Sequence, residues 1–188
     1  MSKTTEFKQE LITLLKKYDA TFTGTFDWSY QNRYDFLSMI EVLRIKLREV
    51  LREDKGGVYG VQVSGSPSLY PRKEYNISIG FGCAPERVDE LISATLQQVD
   101  SVKLKKPDDI YVDKVKEIQR REREVNLKQN QFWLSIFRQY YANGENPEEI
   151  LQFPTLVDKL SSEAIHQAAK RYFDMKKMVT VVLNPEKN

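Results

Sequence analysis

Histidine and cysteine are almost missing from this sequence: its 188 residues hold one of each, His166 and Cys83. Zinc sites and Cys–His catalytic pairs draw mainly on those two residue types, held close together. The chain therefore cannot build an ordinary zinc or Cys/His centre by itself. A single cysteine also excludes an internal disulfide framework, although it does not fix the compartment. No apolar run approaches the length of a membrane span, and the opening M-S-K-T-T-E has no signal-peptide core. Nor is there an excess of charge: 29 basic and 27 acidic side chains leave a net +2. That balance gives no reason to expect a nucleic-acid or membrane surface. A piece of a longer, exported polypeptide would look the same, so periplasm and cytoplasm both stay open.

What is present suits a soluble globular protein, with 40% apolar and 30% charged residues. The length predicts one domain with a helical appendage, divided as a helix or linker segment over 1–19 and a domain over 20–188. Phe7, Leu11, Leu14, Leu15 and Tyr18 have helical spacing and predict an amphipathic opening helix. A-T-F-T-G-T-F, Ala20 to Phe26, reads as a strand. The stripe Phe36, Ile40, Leu43, Leu47, Val50 and Leu51 predicts a helix from near Ser29 to just before Gly56-Gly57. Val58 to Ser64 and Tyr75 to Cys83 then read as an antiparallel hairpin. In the first of these, Tyr59, Val61 and Val63 fall near alternation.

Pro85 and Glu86 open another helix, lined by Val88, Leu91, Ile92, Thr95 and Val99. A long helical region runs from Pro107 to about Tyr141, polar in its middle. Phe132, Trp133, Phe137 and Tyr140, near its end, are expected to dock on the core. Ser161 or Ser162 caps a last helix with Ile165, Ala168, Ala169 and Tyr172 on its buried face. His166, beside polar Gln167, reads as exposed or capping, and Cys83 as a small buried hydrophobe. Met178 to Leu183, M-V-T-V-V-L, is an almost continuous apolar strand, expected to be central or covered on both faces. About four strands and six helices in this order predict an α+β fold, a two-layer sandwich with helices on one face of a mostly antiparallel sheet.

The segment L-R-E-D-K-G-G-V-Y, Leu51 to Tyr59, carries the chemistry. It sets Arg52 at the end of a helical pattern and Tyr59 at the start of a strand pattern, with a Gly-Gly turn between. From spacing alone, Arg52 reads as a cation completing a helix C-terminus and Tyr59 as an ordinary strand aromatic. The alternative is a pair of hydrogen-bond donors converging on one oxygen.

The run I-K-L-R-E-V-L-R-E-D-K-G-G-V-Y-G-V, Ile45 to Val61, resembles the helix-turn-strand element in the second of the paired domains of zinc metallopeptidases of the pitrilysin, insulinase and mitochondrial-processing-peptidase type. G-C-A-P-E-R-V-D-E-L-I (82–92), N-Q-F-W (130–133), A-A-K-R-Y-F (168–173) and V-T-V-V-L-N-P (179–185) continue the resemblance in the same order. It implies a fold like the domain of mitochondrial processing peptidase and half of a two-part, clam-like peptidase. In such enzymes one half carries the inverted motif His-x-x-Glu-His with zinc. The other half supplies an arginine and a tyrosine to the substrate, and Arg52 and Tyr59 are the matching positions. One histidine cannot make His-x-x-Glu-His. The resemblance thus implies no metal or cofactor in this chain, zinc on a partner half in the same parent chain or a separate subunit, and a peptide substrate. A non-catalytic structural or regulatory domain of the same superfamily is the alternative.

Overall fold

The computed structural model describes residues 16–183. The element order is β1 (Lys16–Thr25), α1 (Tyr30–Leu47), a π-helical turn (Arg48–Asp54), β2 (Val58–Ser68), β3 (Glu74–Cys83), α2 (Val88–Leu104), α3 (Asp109–Asn126), α4 (Asn130–Asn143), α5 (Phe153–Lys159), α6 (Ser162–Tyr172) and β4 (Met178–Leu183). The strands form one sheet in the order β2-β3-β1-β4, every pairing antiparallel. The α+β sandwich expected from the sequence is the fold observed. The opening helix and the Asn184-Pro185 stop lie outside the described residues, but Tyr18 belongs to β1, which begins four residues before Ala20.

One face of the sheet makes the core. Tyr18, Ala20 and Phe22 of β1 and Tyr75, Ile77, Ile79 and Phe81 of β3 point inward at every second residue and are buried. Against them lies α1, capped by Ser29, whose side chain accepts from the Asn32 backbone N–H. Phe36, Met39, Ile40, Leu43 and Leu47 of α1 are essentially inaccessible. At the centre the Tyr172 ring stacks on Phe26 (centroids 5.3 Å apart) and meets Phe36 and Tyr75 edge-on, both at 5.0 Å. The Tyr75 hydroxyl donates to the Tyr172 carbonyl at 2.8 Å. Away from the sheet, α1 is tied to α3 by polar groups: Tyr34 donates to Gln119 (2.7 Å), which donates to Ser38 (2.9 Å). Arg33, 8% exposed, bonds Glu145 (3.1 Å) and lies 4.6 Å over the Trp28 ring, fastening the segment after α4 to the start of α1.

Three expectations need correction. Among the described residues the apolar strand β4 is an edge, neither central nor covered: Val179, Val181 and Leu183 are 64%, 48% and 59% exposed. The long helix breaks at 127–129 into α3 and α4, and the aromatic stretch of α4 does not join the core. There Phe132 meets Trp133 edge-on, Trp133 stacks on Phe137, and of the four aromatic residues only Tyr140 is buried. His166 is also buried, at 7%, with Nδ1 donating to the Val102 carbonyl at 3.0 Å. It joins α6 to the end of α2.

Two outcomes are expected. A Cβ at Gly65 would lie 2.7 Å from Ile40 Cγ1 and 2.8 Å from Phe36 Cε1, so Gly65→Ala should destabilise by about 1–3 kcal/mol through overpacking, read as a fall in denaturation midpoint. Burial pushes the hydroxyls of Tyr34 and Tyr75 up to about 12. A raised acid keeps its full stabilisation below the ordinary tyrosine range and loses it as pH climbs through the folded value. Chemical denaturation across pH 9 to 12, read beside tyrosinate absorbance, should show stability declining from about pH 10, with these two hydroxyls among the last to ionise, beside Tyr111 and Tyr140, which are also pushed up to about 12.

Candidate functional site at the α1–β2 turn

The chain leaves α1 through a π-helical turn, a form rare in proteins and frequent at functional sites. Leu51 anchors this turn in the core at 0% exposure, while Arg52, Glu53 and Asp54 stand in solvent. The turn is closed by backbone bonds from Lys55 N–H to the Val50 carbonyl (3.1 Å) and from Gly57 N–H to the Leu51 carbonyl (3.0 Å). Gly56 takes φ +56°, the left-handed conformation that glycine adopts without penalty. Gly57 is needed for space: a Cβ there would lie 2.6 Å from Leu91 Cδ2. One turn earlier, Arg44 Nε and Nη2 donate to the Val63 carbonyl at 3.1 and 2.7 Å, so α1 is pinned directly to β2. Arg48 lies 3.8 Å from Glu53 in a solvent-facing ion pair.

Beyond the glycines, β2 contains a bulge. Val58 pairs with Cys83 and Val61 with Phe81, so Tyr59 and Gly60 together face the single residue Gly82. Strict alternation inward from Val63 and Val61 would bury Tyr59. The extra residue instead turns Val58 inward, at 8% exposure, and Tyr59 outward, at 77%. The signal was a lone glycine inside a strand pattern. Arg52 and Tyr59 thus flank one fixed turn, both exposed, and neither side chain makes a hydrogen bond or ion pair with the described residues. Their donors are uncommitted. A groove of about 710 Å³ opens next to this point on the sheet face that no described helix covers, between Gly60, Gly82, Lys17 and the apolar side chains of β4.

The sequence reading passed over Arg87 and Glu90 at the start of α2. They pair with each other at 3.2 Å and both reach Lys55, in the middle of the turn. Their signal was an opposite-charge pair three residues apart in a first helical turn.

The family model described as "Peptidase M16 inactive domain" matches residues 20–119. The chain belongs to that family. Among curated relatives, "Probable zinc protease PqqL" of Haemophilus influenzae is 28% identical over 138 residues, covering 73% of this chain and 15% of the relative. "Zinc protease PQQL-like" of Arabidopsis thaliana is 27% identical over 108 residues, 54% of this chain and 11% of the relative. The chain therefore spans a small part of the length of these proteins. Among solved structures, the periplasmic protease PqqL from Escherichia coli superposes with a TM-score of 0.78 at 18% identity, over 92% of this chain and 19% of that one. The peptidase M16 inactive domain from Pseudomonas fluorescens does so at 0.77 and 15%, over 92% and 42%. At those identities the superpositions show the shared fold.

The zinc of this protease family finds no fit here. His166 commits Nδ1 to a backbone carbonyl, and Cys83 is buried in the sheet. Among the described residues no three His, Cys, Asp or Glu side chains come together as a metal group. Nor is any described helix long and apolar enough to cross a membrane.

The turn supports a direct stability test. Gly57→Ala should destabilise the chain by about 1–3 kcal/mol, because the new methyl meets the buried Leu91 side chain. Gly60→Ala, whose Cβ would meet nothing within 4 Å, should leave the denaturation midpoint nearly unchanged.

Proposed function

We propose that this chain is the non-metal half of a bipartite zinc metalloendopeptidase, in which Arg52 and Tyr59 donate hydrogen bonds to the substrate's scissile carbonyl. The observation that carries this reading is the pair's position. Both side chains are exposed and unbonded at the two ends of a turn that the fold holds rigidly. A cation serving only to complete a helix would not explain why a bulge spends a residue to turn a tyrosine outward beside it.

Hydrolysis of a peptide builds negative charge on the carbonyl oxygen. A neutral phenol O–H and a fixed guanidinium fork stabilise that charge without acting as bases, and do so best where they need no reorganisation. Zinc, with its His-x-x-Glu-His motif, belongs on the other half, N-terminal in the same parent chain or on a separate subunit. The peptide is enclosed between the halves.

In the assembled peptidase, Arg52→Ala and Tyr59→Phe should each lower kcat by about 10²- to 10³-fold with KM little changed, measured by steady-state hydrolysis of a peptide. The chain alone should show no peptidase activity and should release zinc on dialysis against buffer. Unchanged turnover in both variants, with assembly intact, would instead mark a structural or regulatory domain.

A further inference from the structure

We infer that Arg87 and Glu90 are positioning residues for the Arg52–Tyr59 pair, an inference that rests on the role proposed above for that pair. Two adjacent glycines lie between Arg52 and Tyr59, at the place where a backbone has most freedom. The turn is held in one shape by contacts from outside it. Arg87 Nη1 donates to the Lys55 carbonyl at 3.1 Å, while its Nε and Nη2 donate to Glu90 Oε2 at 3.3 and 3.2 Å. The other carboxylate oxygen, Oε1, accepts from Lys55 Nζ at 2.7 Å. The result is a closed ring that grips one residue by both its main chain and its side chain. Lys55 stands three residues after Arg52 and four before Tyr59. Beneath the ring, Gly57 rests on Leu91 of the same helix, within one turn of Arg87 and Glu90.

The energetics separate positioning from stability. Lys55, Arg87 and Glu90 side chains are 34%, 32% and 46% exposed. Ion pairs in such surroundings contribute little to folding. Geometry at a reacting carbonyl is much less tolerant, and a displacement of about 1 Å at donor groups costs up to about 10²-fold in rate. The ring is therefore placed where its loss should be small in folding and large in turnover. Hydrogen bonds from Lys55 and Arg87 also hold the Glu90 carboxyl below the usual carboxylate range.

The test uses the assembled two-half peptidase. Arg87→Ala should lower kcat by about 10- to 10²-fold, with KM within about twofold and the denaturation midpoint nearly unchanged. Arg87→Lys, which keeps the charge but loses the fork, should recover only part of the rate. The deciding measurement is a double-mutant cycle with Tyr59→Phe. If Arg87 acts by placing the tyrosine, Arg87→Ala should cost clearly less in the Tyr59→Phe background than alone. Fully additive losses, or an unaltered kcat in Arg87→Ala while Tyr59→Phe is slow, would overturn the positioning role and leave the role of the pair standing. Should Arg87→Ala fail to assemble, Glu90→Gln is read by the same cycle with the same expected and contrary results. Wild-type turnover in both Arg52→Ala and Tyr59→Phe would remove the reading beneath, and the positioning role with it.

Discussion

The structure depends on the burial of α1. This helix presents apolar side chains to the sheet and polar ones, Tyr34, Ser38 and Arg33, to α3 and to the segment after α4, so it is enclosed on most of its circumference. An enclosed helix cannot rotate or slide without unpacking several neighbours at once. The turn and strand downstream of it inherit that rigidity. The π-helical turn begins where α1 ends, Leu51 locks it to the core, and Arg52 projects from a platform that packing has already fixed. Arg44, bonded to the Val63 carbonyl, extends the same constraint to β2 and so to the strand that carries Tyr59.

Much of this was legible in the sequence, for identifiable reasons. The hydrophobic stripes of α1 and α6 and the alternation in β1 and β3 arise from burial on one side. Periodicity reports that directly, and the Ser29 and Ser161 caps came with it. The errors share a different cause. A run such as M-V-T-V-V-L records strand propensity, but whether a strand is covered depends on which helices pass over it, and none of the described helices packs substantially on β4. The aromatic residues of α4 satisfy one another instead of the core. His166 looked polar by its neighbours, and only the fold brings the Val102 carbonyl to its ring. At the site, residue types were readable and their presentation was not. Gly60 hints at a bulge in β2, but only the pairing with β3 shows that Tyr59 leaves the alternation of Val61 and Val63.

Among the described residues the sheet carries helices on one face only, and its other face adjoins the turn. Gly60, Gly82 and Gly80 carry no side chains into the groove, while β4 lines its far side with apolar groups. A face of this kind is open to contact with a second body. It also agrees with the small share that this chain represents of the proteases it resembles.

The bulge in β2 makes the orientation of a side chain depend on counting rather than on chemistry. Between Val58 and Val61 the strand holds two residues where its partner holds one. A tyrosine can be retained in a related domain and still face the core if that spacing differs by a single residue. Comparing such domains by residue identity at this position is therefore insufficient. The number of residues between the two inward-facing valines decides whether the phenol meets solvent or the interior.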